Sequence, residues 1–67
     1  MAPIERMAQR LKAVRAERGL TQQQLATRAG ISGGYYARLE RGEQDPTLSV
    51  IEKLAKALGV KVGRLLE

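Results

Sequence analysis

Apolar residues recur at helical spacing along most of the chain, and no stretch alternates in the manner of a strand. Ile4, Met7, Leu11 and Val14 step by three and four residues, which predicts one helix of about four turns ending before Gly19. The next start is marked by Leu20-Thr21-Gln22-Gln23-Gln24-Leu25. Thr21 is an N-cap, Gln24 completes a capping box, and Leu20 and Leu25 are spaced for a hydrophobic staple. This second helix runs from Gln22 to Ala29 and stops at Gly30, a residue suited to the left-handed position after a helix. Ser32 caps a third helix reaching about Arg41, where Gly42 stops it. Two short helices joined by so tight a turn must cross steeply.

The polar stretch Glu43-Gln44-Asp45-Pro46 breaks the pattern. Thr47 then caps a fourth helix whose expected core face is Leu48, Ile51, Leu54, Ala55 and Leu58, ended by Gly59. Residues 60–66 have room for a short fifth helix, with Lys61 a poor N-cap and Gly63 a weak helix former. The pattern therefore predicts an all-α domain of five short helices occupying residues 1–67, with no linker, repeat or low-complexity tract.

Charge narrows the function. The chain of 67 residues carries a net charge of +5. Residues 1–42 hold eight cations against three carboxylates, whereas residues 43–67 are balanced, four against four. Arginine, suited to bidentate phosphate and guanine contacts, supplies eight of the twelve cations. Such asymmetry favours nucleic acid or an anionic membrane surface. No apolar run approaches a membrane span and no signal-peptide core precedes the first charges, so no membrane-spanning segment is expected. The chain has neither cysteine nor histidine. That removes disulfides, thiolate metal sites and the commonest general base, and it fits a reducing compartment. No catalytic residue, metal ligand, cofactor or small-molecule ligand is expected. A binding module remains.

Residues 22–41 read as one unit, with Leu25, Ala26, Ala29, Ile31, Tyr36 and Leu39 apolar. Ala26 is small where the helix backbones must approach, and Gly30 lies where the chain reverses. Gly33, Gly34 and Arg38, with Tyr35 and Arg41 to one side, are left facing outward on the third helix. Gly19-Leu20-Thr21-Gln22-Gln23-Gln24-Leu25-Ala26, Ala29-Gly30-Ile31-Ser32, Leu39-Glu40-Arg41-Gly42, Pro46-Thr47-Leu48 and Leu54-Ala55-Lys56-Ala57-Leu58-Gly59-Val60 together resemble the lambda-repressor-like helix-turn-helix domains. These are the Cro/phage-repressor type, also called the XRE family. The resemblance covers about residues 8–66.

The resemblance implies a five-helix fold and a bacterial or phage regulator of transcription acting in the cytoplasm. It implies a homodimer that binds double-stranded DNA, with a pseudo-palindromic operator and the third helix in the major groove. Ser32, Gly33, Gly34 and Arg38 would then face base edges, with Arg38 the only long donor. Thr21, Gln22, Tyr35 and Arg41 would meet the DNA backbone. Arg15 and Glu40 are expected to form an ion pair between the first and third helices, although Arg15 also suits a phosphate contact. Arg6, Arg10, Lys12 and Arg18 read as general surface charge, and Arg28 as surface or phosphate contact. Val60, Val62, Leu65 and Leu66 either close the base of the domain or form a homodimer patch. A small repressor and the controller of a restriction–modification system fit equally. An antitoxin, which would also bind a protein toxin, is a further alternative. A basic module for RNA or membranes fits less well, since two tyrosines are the only aromatics.

Two positions depart from the family pattern. Gly33 and Gly34 stand where polar side chains are usual, so they cannot read bases directly. Tyr36 replaces a branched aliphatic residue and needs a partner, or solvent, for its hydroxyl.

Overall fold

The computed structural model describes residues 3–67; Met1 and Ala2, which begin the expected domain, lie outside the described residues. Five helices follow one another: α1 (Pro3–Glu17), α2 (Gln22–Ala29), α3 (Gly33–Glu40), α4 (Leu48–Leu58) and α5 (Val62–Leu66). No strand occurs among the described residues. The helix α2 packs on α3 and α4, while α1 packs on α3 and α5.

Local chemistry sets the helix starts. Thr21 Oγ1 accepts from Gln24 N at 3.0 Å, and Thr21 N donates to Gln24 Oε1 at 2.8 Å, so both halves of the capping box are made. Ser32 and Thr47 cap α3 and α4 through the amides of Tyr35 and Val50. Lys61 makes no side-chain capping bond at α5.

The helix ends are equally regular. Gly30 sits at φ +75°, a left-handed conformation that costs a residue with a Cβ about 1 kcal/mol. The turn lets Gly30 N donate to Thr27 O and Ile31 N to Ala26 O, which satisfies two otherwise unpaired carbonyls. The same pair of bonds closes α1, α3 and α4 at Gly19, Gly42 and Gly59.

Leu11, Leu25, Ala26, Tyr36, Leu39, Leu54 and Leu65 are wholly buried and form the centre of one core with Met7, Val14, Ala29, Ile51, Ala55 and Leu58. Leu20 and Ile31 pack partly against it.

Two sequence expectations are corrected. Leu48 is 62% exposed and does not belong to the core face of α4. It is the first residue of the helix and lies at the edge of the apolar stripe, about 70° from its centre at 100° per residue. Leu65 is wholly buried in the core, so it cannot contribute to a homodimer patch. One short turn at α5 leaves it facing inward while Leu66 faces out, 51% exposed.

The tight approach around Ala26 yields a test. Ala26→Leu adds volume where none is free and should destabilise by about 1–3 kcal/mol. Ala16→Leu, on the exposed side of α1, should change stability by no more than about 0.5 kcal/mol. Urea unfolding followed by circular dichroism compares the two.

Candidate nucleic-acid interface

The orientation of α3 depends on a single carboxylate. Glu40, at the end of α3, has a side chain only 5% exposed. Arg15 of α1 donates from Nε to its Oε2 at 2.6 Å and from Nη2 to its Oε1 at 3.2 Å. Gln22 Nε2, from the first turn of α2, donates to Oε1 at 2.9 Å. The Tyr36 hydroxyl, one turn earlier on α3, donates to Oε2. Arg15 Nη1 also donates to Leu20 O at 2.8 Å, which ties the turn between α1 and α2 into the same cluster. No side-chain polar atom among the described residues is buried without a partner.

Burial alone pushes the Glu40 carboxyl up, but the hydrogen bonds from Arg15, Tyr36 and Gln22 outweigh it and hold the group below its ordinary range. The bond to Glu40 likewise raises the Arg15 guanidinium, against the opposing effect of burial. Burial, and then the bond to Glu40, push the Tyr36 hydroxyl far above its ordinary value, so it stays a donor at any working pH. Tyr36, which the family pattern left in need of a partner, finds it in Glu40. Their spacing of four residues on one helix is a signal that sequence reading alone could have used.

The exposed face lies on the other side of this cluster. Ser32 caps α3 through the amide of Tyr35 at 3.1 Å. Gly33 and Gly34 form its first turn, where amide groups lack intrahelical partners. Arg38 is exposed and makes no salt bridge among the described residues. Thr21 and Gln22 stand together at the start of α2, and Gln22 is held by Glu40. Tyr35 is less outward than expected, because its ring packs partly on the core. Arg41 is exposed but engaged, donating to Glu43 from Nε at 2.9 Å and Nη2 at 3.2 Å. The hydrogen bond to Glu43 raises the Arg41 guanidinium and lowers the carboxyl. A polyanion would compete with Glu43 for this arginine. That pairing across two residues was missed from sequence.

The opposite end of the domain is clasped by ions. Arg10 Nε donates to Arg64 O at 3.3 Å and its Nη2 lies 3.7 Å from Glu67, while Arg64 Nη2 donates to Glu17 at 3.1 Å. Arg10 therefore also links α1 to α5 at the surface. Beside this clasp Leu66 is exposed, with Val60 and Val62 packed partly on the core.

The Glu40 cluster gives a pH prediction. Its folded carboxyl titrates below the unfolded value of about 4.3. The stabilisation is therefore complete above that pH and disappears as pH falls through the folded pKa. Tyr36→Phe removes a hydrogen bond to a charged group, worth about 2 kcal/mol. It also raises the folded pKa, moving the acid loss of stability to higher pH. Chemical denaturation between pH 3 and 7 should show both effects; an acid limb identical to wild type contradicts the assignment.

The Helix-turn-helix (HTH_3) profile matches residues 11–65. The immunity repressor protein of Bacillus phage phi105 is 48% identical over 59 residues, covering 88% of this chain and 41% of that protein. This chain spans about half the length of the curated relatives it matches. The restriction-modification controller protein C.AhdI from Aeromonas hydrophila superposes with a TM-score of 0.93 at 35% identity, covering 97% of this chain and 98% of that one. The clp gene regulator ClgR from Corynebacterium glutamicum gives 0.94 at 30% identity, over 98% of this chain and 70% of that one. With the profile spanning most of its length and α2 and α3 meeting at the Gly30 turn, the chain belongs to the HTH_3 helix-turn-helix family.

Proposed function

We propose that this domain binds double-stranded DNA with α3 in the major groove, as the DNA-binding part of a transcriptional regulator. The observation that carries this reading is the exposed Arg38, without a salt bridge among the described residues, on a helix whose opposite face is locked by Glu40. The free amides at the starts of α2 and α3 favour phosphates nearby. Thr21, Gln22, Tyr35 and Arg41 are suited to hold the backbone and fix the register. Ser32 and Arg38 face the bases, and Gly34 adds no side chain between them. The phage repressor and the clp gene regulator among the similar proteins support a regulatory role. The chemistry on offer is recognition, with no step of catalysis.

The domain acts as a homodimer through the α5 end. Leu66, with Val60 and Val62 beside it, supplies an apolar patch remote from the α3 face. A twofold pair of domains places two recognition helices one turn of DNA apart, about 34–36 Å. A regulator of a restriction–modification system is the narrower version favoured by C.AhdI, whose chain matches almost end to end.

Selection from random duplexes tests the reading. The enriched site should be pseudo-palindromic, with half-site centres about 10 base pairs apart. Arg38→Ala should lose about 1–3 kcal/mol at one base pair in each half-site, as expected for a bidentate arginine–guanine contact. Equal weakening on every sequence would make Arg38 a phosphate contact. Failure of the folded protein to bind any duplex at low salt would refute the proposal.

Leu66→Glu tests the dimer separately. Sedimentation should show a shift towards monomer, and DNA affinity should fall while the helical circular dichroism spectrum is retained. A variant that remains dimeric moves the interface elsewhere.

A further inference from the structure

Gly33 and Gly34 give the start of α3 no side chains, yet the space over Gly33 is occupied, while that over Gly34 would admit a Cβ at ordinary contact distance. A Cβ at Gly33 would run into the Gln23 carboxamide, whose Oε1 is nearest and whose Cδ lies 3.1 Å from that point. At Gly34 the atom nearest such a Cβ is Arg38 Nη1, at 3.8 Å. Arg38 reaches back from the next turn of α3, as long side chains on a helix do. Gln23 arrives from α2. Its carboxamide lies over Gly33.

Gln23 is also held. Its Nε2 donates to Thr27 Oγ1 at 3.2 Å, one turn along α2. That bond uses one amide hydrogen. The second hydrogen and the Oε1 lone pairs remain, a donor beside an acceptor. This is the pair that matches N7 and the N6 amino group of adenine in the major groove. A side chain at position 33 would displace the carboxamide from this place, so the glycine and the glutamine act together.

We infer that Gln23 is a specificity-determining residue: its carboxamide takes the place of the side chain missing at Gly33 and reads one base pair, with preference for adenine. Thr27 is a positioning residue for it. The inference rests on the DNA-binding reading above and adds a reader from outside α3.

Sequence selection and competition binding with wild type, Gln23→Ala, Gly33→Ala and the double variant test it, with thermal melts to check that each is folded. Gln23→Ala should lose about tenfold of the preference at one base pair per half-site and leave the other positions unchanged. Gly33→Ala displaces the carboxamide and should lose the preference at that same pair. The double variant should lose no more than either single one. Thr27→Ala should weaken the same preference, while Thr27→Ser restores it. Gln23→Ala weakening all duplexes evenly, leaving the profile untouched, or affecting a different position from Gly33→Ala would overturn the inference. Wild-type protein that binds no duplex at low salt overturns the DNA-binding reading as well, a result distinct from duplex binding without a Gln23-dependent position.

Discussion

The Glu40 carboxylate is the joint on which the arrangement of the first three helices depends. An anion so nearly enclosed is tolerable only when its oxygens are fully engaged. Arg15 from α1, Gln22 from α2 and Tyr36 from α3 all converge on it. Satisfying those bonds leaves little freedom in how α3 lies across α2. Apolar packing by Leu25, Leu39 and Tyr36 brings the helices together, but such packing is non-directional. The hydrogen bonds supply the direction. Losing Arg15 alone would leave a poorly solvated carboxylate, a change that costs about 3–5 kcal/mol for a buried pair.

That joint also links stability to recognition. Gln22 stands at the start of α2, where a phosphate is expected, and its carboxamide is already oriented by Glu40. Ordering a side chain before binding removes part of the entropy cost of the contact. The outer face is built in the opposite way. Arg38 makes no salt bridge among the described residues, Arg41 pairs with an exposed carboxylate, and α3 begins with two glycines. One side of α3 is fixed; the other is left open to a ligand.

Much of this was legible in the residues. The capping box at Thr21 and Gln24, the caps at Ser32 and Thr47 and the glycine stops place the helix boundaries, because each device acts within a few residues of chain. Leu48 was misplaced for a related reason. Periodicity locates a face on a helix, but it cannot say how far neighbouring helices cover its ends. The Arg15–Glu40 pair was expected from the family resemblance, whereas its bonds to Gln22 and Tyr36 needed the structure. Periodicity likewise gave no hint that Arg10 reaches the α5 backbone or that Gln23 fills the space at Gly33. Those contacts join residues distant in sequence, and no local spacing encodes them.

The most direct test of the account is the map of amide chemical-shift changes when a selected duplex is added to the isotopically labelled protein. The changes should concentrate at Thr21–Gln24 and Ser32–Arg41, with the α1 residues on the far side of Glu40 little affected. A map centred on α4, or on α5 alone, would contradict the assignment of α3 as the recognition helix.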